Sequence, residues 1–153
     1  MTQAQHMPPE GADRVGPAPR VKAAGRGGGA RDSALFAAID LGTNNCRLLI
    51  AAPAGRSFRV VESFSRIVRL GEGLSRTGRL DDDAMERAVA ALRICADKVR
   101  RRGPLSLRAV ATQACRSADN GQAFVDRVAA ETGLRLTIIS PKEEAQLSVA
   151  GCL

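Results

Sequence analysis

Hydrophobic and polar positions change period along this chain, and each change marks an element. The first ordered run, Phe36 to Ile50, is apolar on both sides of a polar break at Gly42, Thr43, Asn44 and Asn45, which predicts two antiparallel strands joined by a short loop. Pro53 to Arg56 make a turn, and Ser57 to Val68 alternates again. Phe58, Val60, Glu62 and Phe64 fall on one face and Arg59, Val61, Ser63 and Ser65 on the other, as in a third strand of a meander with one mostly apolar side. Arg69 to Leu74 breaks the pattern with two glycines, Gly71 and Gly73, and forms a loop able to reach toward the first one.

From Asp81 the period becomes helical. Met85, Ala88, Val89, Leu92, Cys95, Ala96 and Val99 recur three or four residues apart, one apolar stripe of an amphipathic helix. Asp81, Asp82 and Asp83 supply its cap and first-turn charge, Arg100 to Arg102 suit its negative end, and Gly103 and Pro104 stop it. Leu107 to Thr112 reads as a fourth strand. Asp119 or Asn120 caps a second helix carrying Phe124, Val125 and Val128 and ending at Gly133, and Leu134 to Ile139 forms a fifth strand. Ser140, Pro141 and Glu143 have the form of a capping box that opens a third helix. Three antiparallel strands, helix, strand, helix, strand, helix is the order of a ribonuclease-H-like α/β domain, a mixed five-stranded sheet with helices on its faces. That domain is expected over residues 34–153, behind a tail at 1–33 whose Pro, Gly and Arg content predicts disorder.

Composition narrows the function. The 153 residues suffice for one domain; no apolar run is long enough to span a membrane, and no secretory leader is visible, so a cytoplasmic location is expected. Cys46, Cys95, Cys115 and Cys152 lie far apart with no C-x-x-C spacing, and read as small buried apolar residues. The single histidine, His6, falls in the tail, so proton transfer in the domain must use carboxylates, lysine or water. The net charge of +7 divides into +3 for residues 1–31 and +4 for residues 32–153. A moderately basic domain permits a polyanionic partner, or an arginine-rich composition reflects coding preference alone. Trp and Tyr are absent and Phe occurs four times, a poor supply for stacking nucleic-acid bases. No specific nucleic acid is expected, and a polyphosphate or nucleotide phosphate fits better.

Two segments carry candidate chemistry. Asp40 ends the first strand where it reaches the surface, and a carboxylate there can hold a hydrated divalent cation. Gly42, Thr43 and Asn44 offer backbone N–H groups, a hydroxyl and an amide to a phosphate. The same residues are also ordinary hairpin-turn chemistry, because Gly and Asn accept positive φ. Glu143 has its reason in the capping box. Glu144 turns to another helix face at the edge of a parallel strand, where open α/β sheets bind ligands.

Four segments together resemble the Ppx/GppA family of exopolyphosphatases and guanosine pentaphosphate phosphohydrolases: Ala38 to Asn44, Arg69 to Leu74, Ala111 to Asn120 and Ile139 to Ala145. The resemblance covers residues 35 to 153. It implies one of two ribonuclease-H-like lobes of the actin-like (sugar kinase, Hsp70, actin) superfold, with substrate between them, and removal of a terminal phosphate from polyphosphate or guanosine pentaphosphate using Mg²⁺ and water. By that resemblance Asp40 holds the metal; Gly42, Thr43, Asn44 and Arg116 bind phosphate; Glu144 is the general base or positions the water, with Glu143 supporting. A homodimer of the full-length form is implied as well.

The chain departs from the family pattern at Thr43, where Ser is common, and at Gln146, where Arg is. The family's second phosphate loop, Asp-x-Gly-Gly-Gly-Ser-Thr-Glu, is expected beyond Leu153, so the chain reads as a fragment lacking the facing lobe. Two alternatives stay open, a non-catalytic lobe that binds polyphosphate or nucleotide, and a small-molecule kinase of the same superfold. The Glu143 and Glu144 pair and the Arg116 segment weigh against the kinase.

Overall fold

The computed structural model describes residues 34–152; the tail expected at 1–33 and the His6 it contains lie outside them. Ten elements follow in order: β1 (Phe36–Leu41), β2 (Asn45–Ala54), β3 (Ser57–Ile67), α1 (Leu74–Thr77), α2 (Asp82–Arg102), β4 (Ser106–Ala111), α3 (Gln113–Ser117), α4 (Gly121–Thr132), β5 (Thr137–Ile138) and α5 (Pro141–Cys152). One sheet carries all five strands in the order β3-β2-β1-β4-β5. β1 is antiparallel to β2 and β2 to β3, whereas β1, β4 and β5 run parallel. This is the mixed five-stranded α/β sheet expected from the order of elements, with a meander at one side and two crossover strands at the other.

Alternation decides what each face does. Along β1, Ala37, Ile39 and Leu41 are buried while Phe36, Ala38 and Asp40 are exposed; along β2, Cys46, Leu48 and Ile50 go inward. The inward residues meet Ala88, Val89, Leu92 and Cys95 of α2 and Phe124, Val125 and Val128 of α4 in one core. A fully buried Leu, Ile or Phe stabilises by about 1.5–3 kcal/mol, so this core is the main source of stability. α2 begins and ends as its sequence requires. The Asp81 side chain accepts from the N–H groups of Asp83 (3.0 Å) and Ala84 (3.3 Å), and Gly103 closes the helix in the left-handed region at φ 57°.

Three details differ from the pattern in the sequence. A bulge shifts the β2/β3 register: Ile50 faces Glu62 but the next residue, Ala51, faces Val60. Residue Val61 is therefore the extra one, so Phe58 and Val60 share the open face while Glu62 and Phe64 share the helix face. There Glu62 meets Lys98 (2.5 Å) and Arg102 (2.7 Å) of α2. Asn120 stands at the N-cap of α4 but does not cap it. Its side chain accepts from the Leu80 N–H (2.8 Å) and donates to the Leu80 carbonyl (3.1 Å), satisfying backbone that no ladder reaches. The fifth strand is only Thr137–Ile138, and two short helices, α1 and α3, occupy segments with too few apolar positions to announce a period. Where α3 meets α4 the backbones nearly touch: a Cβ on Gly121 would lie 1.8 Å from the Cys115 carbonyl oxygen.

Candidate phosphate-binding site

The site is built on the face of the sheet that α2 and α4 leave open. Because Ile39 and Leu41 point into the core, Asp40 between them must point outward. The hairpin register sets Arg47 of β2 directly opposite it. Beyond Asp40 the chain turns through Gly42, Thr43 and Asn44, closed by the Gly42 N–H donating to the Asn45 carbonyl at 2.9 Å. Neither Gly42 nor Asn44 has positive φ, so this is not the ordinary primed hairpin turn that the sequence also allowed.

The turn is held from outside. The Gly71 N–H donates to the Thr43 carbonyl (3.0 Å), and the N–H groups of Val68 (2.8 Å) and Arg69 (3.0 Å) both donate to the Asn44 carbonyl. The two loops touch, as expected, and they do so tightly: a Cβ on Gly71 would sit 2.3 Å from Thr43 Cγ2. Gly42 is under no such constraint. A Cβ there would find the Asn45 carbonyl oxygen at 3.5 Å and Thr112 Oγ1 at 4.0 Å, ordinary contacts. Neither backbone conformation nor packing requires glycine at 42, and its lack of a side chain leaves the backbone bare toward the adjoining cavity.

α5 brings the second half. Its capping box forms as the sequence predicts: Ser140 Oγ accepts from the Glu143 N–H (3.2 Å), and the Glu143 carboxylate accepts from the Ser140 N–H and hydroxyl, both at 2.9 Å. These bonds, the backbone one first, hold the Glu143 carboxyl below its usual range. The cap fixes the start of the helix, and Glu144, one residue on, faces the sheet. Arg116, at the end of α3, spans the gap. Its Nη1 donates to the Ile139 carbonyl (2.6 Å), and Nη1 and Nη2 reach Glu144 Oε2 at 3.3 and 3.4 Å.

A cavity of about 840 Å³ lies between this face and α5, and Asp40, Gly42, Thr43 and Glu144 all line it. Arg116 reaches it through Glu144. Asn44 stands exposed at the tip of the turn and Glu143 stays in its cap, and neither lines the cavity. Burial pushes the Asp40 carboxyl above its usual value, Arg47 pulls it down and Glu144 pushes it up, so the two carboxylates feel one another across the space. Among the described residues no group of three or more His, Cys, Asp or Glu could hold a metal ion. Mg²⁺ keeps several waters and takes one or two carboxylates together with substrate phosphates. Asp40, at the end of β1 and on the wall of the cavity, fits an ion held in that way.

The cavity also contains residues that the sequence did not single out for chemistry, Arg47, Arg108, Thr112 and Gln113. Arg47 follows from the hairpin register, which the turn sets. Thr112 does not: it is buried between the Leu41 carbonyl, which accepts from its N–H at 3.1 Å, and Gly42.

A family model described as the Ppx/GppA phosphatase family matches residues 49–153. The chain belongs to the Ppx/GppA phosphatase family. A crystal structure of the Aquifex aeolicus family member is 32% identical, with a TM-score of 0.69 over 72% of this chain and 36% of that one. An exopolyphosphatase-like protein is 37% identical, TM-score 0.71, over 76% and 36%. An exopolyphosphatase from Cytophaga hutchinsonii is 28% identical, TM-score 0.69, over 74% and 36%. The chain thus spans about a third of the length of the solved family members it matches. No helix among the described residues is long and apolar enough to cross a membrane.

Proposed function

We propose that this chain supplies one lobe of an exopolyphosphatase-type phosphohydrolase, which releases the terminal phosphate of polyphosphate or guanosine pentaphosphate and which requires a second lobe to close its cleft. The observation that carries this reading is the convergence of Asp40, Gly42, Thr43 and Glu144 on one cavity. Phosphoryl transfer asks a protein mainly for positioning and charge neutralisation, with one acceptor for a water proton. The bare backbone at Gly42 and the Thr43 hydroxyl take the phosphate oxygens, and Arg116, with its planar fork of donors, takes further ones. That guanidinium pairs with Glu144; a phosphate competing for it frees the carboxylate to accept a proton from water. Asp40 and the substrate would hold Mg²⁺, which when bound neutralises charge on the phosphates.

The test is phosphate release from long-chain polyphosphate and from guanosine pentaphosphate with Mg²⁺. It is run on this chain alone and on a chimera joining it to the remaining part of the Cytophaga hutchinsonii enzyme. Release by the chimera that Glu144→Gln abolishes supports the reading. Polyphosphate binding with no release by either form makes the lobe a binding module, and transfer of phosphate from ATP to a sugar makes it a kinase.

A further inference from the structure

We propose that Cys46 and Cys95 form an oxidation site, at which a hydroperoxide joins the two thiols in a disulfide that staples β2 to α2 behind the Asp40 turn. Their sulfurs lie 3.9 Å apart, 49 residues apart in sequence, and both side chains are fully buried. Cys46 pairs with Leu41 in the last rung of the hairpin before the turn. Cys95 sits on the inward stripe of α2. All three cysteines whose side chains are described are free thiols, and the third, Cys115, is buried on α3.

The chemistry balances with one equivalent of peroxide. The Cys95 thiol gives up its proton, the thiolate attacks a peroxide oxygen, the O–O bond breaks, and the departing hydroxide takes up that proton, leaving sulfenic acid and one water. Cys46 sulfur then attacks the sulfenic sulfur; the hydroxyl leaves with the Cys46 proton as a second water, and the S–S bond forms. Two thiols are oxidised and one peroxide is reduced. Cys95 is suited to the first step, because the hydrogen bond from Cys46 lowers its pKa, and Lys98 and Arg66 add to that against the effect of burial. The sulfurs must approach by about 2 Å to reach bonding distance. Burial makes entry of oxidant depend on local opening of the core, so the reaction is slow and selective for a small oxidant.

The consequence lies in the position of Cys46. It is the second residue of β2, directly after the turn whose carbonyls are held by Val68, Arg69 and Gly71. A staple to the longest helix fixes the strand on which the turn depends. Any effect on phosphate binding rests on the proposed function, whereas formation of the bond does not.

The native chain is exposed to hydrogen peroxide beside a thiol peptide in the same tube, for many times as long as that peptide takes to be fully oxidised. It is then quenched, unfolded and alkylated without reductant. The expected result is an intact mass lower by about 2 Da before alkylation, two fewer alkyl groups, and a cross-linked peptide pair containing Cys46 and Cys95 that dithiothreitol separates. In Cys46→Ala, and separately in Cys95→Ala, the cross-link must vanish. Full alkylation of Cys46 and Cys95 in the treated chain overturns the proposal, as does a cross-link through Cys115 or Cys152 in their place.

Discussion

The two faces of the sheet obey different rules. The face toward α2 and α4 is filled by Ile39, Leu41, Leu48, Ile50, Leu92 and Phe124, and where backbones approach, as at Gly121 and Cys115, there is no room for one more carbon. The open face holds Asp40, Arg47, Arg108, Thr112 and Glu144 around a cavity, and its glycine at 42 has space around it. One face spends its sequence on packing, where shape is the constraint. The other keeps charge and bare backbone accessible, at the cost of a carboxylate partly shielded from water. Two glycines, one on each side, make the contrast measurable.

The largest effect is expected at Gly121. An added methyl would meet a backbone carbonyl at 1.8 Å, and backbone cannot swing aside as a long side chain can. Gly121→Ala should destabilise by about 3 kcal/mol or more, seen in urea unfolding as a collapse of the midpoint or loss of the cooperative transition. Unchanged unfolding would mean that α3 and α4 pack less tightly than the contact requires.

On the open side the expectation reverses. Glu144→Gln should leave unfolding within about 0.5 kcal/mol of the parent, because its pair with Arg116 is long and partly exposed. In the two-lobed chimera the same change should cut phosphate release by about 10²–10⁴-fold. Equal turnover would remove Glu144 from the reaction. Gly42→Ala sharpens the point, since a Cβ at 42 is sterically acceptable. The chain should melt normally while polyphosphate affinity, read by titration calorimetry, falls about tenfold, or 1.4 kcal/mol. A folding defect with intact binding would make Gly42 a structural glycine after all.

The difference between the faces also explains what could be read from the sequence. Core positions announce themselves by period, and β1, β2, α2 and the stripe of α4 are legible from spacing alone. Caps are legible where the chemistry is local: Asp81 and the Ser140 and Glu143 box form as their neighbours dictate. Asn120 looks the same in sequence, yet Leu80, forty residues back, claims its side chain. At the site, Glu144 is visible as an acid without a structural duty, and Asp40 as an acid where a strand reaches the surface. Arg47 and Thr112 gain meaning only from partners across strands. The bulge at Val61 was hidden because shifting the register still leaves apolar residues on both faces of β3.

That bulge leads to the smallest effect. By turning Glu62 to the helix side it sets the carboxylate between Lys98 and Arg102, whose hydrogen bonds, Lys98 first, lower its pKa from 4.5 to about 2. A depressed carboxylate contributes stability that is present above its unfolded value and is lost as pH falls through the folded one. The thermal midpoint of Glu62→Gln should therefore lie below that of the parent at pH 7, and the gap should close as pH falls from 4.5 toward 2. A gap that stays constant with pH would show that Glu62 acts through packing, and that the charged clasp between β3 and α2 adds nothing to the apolar contacts beneath it.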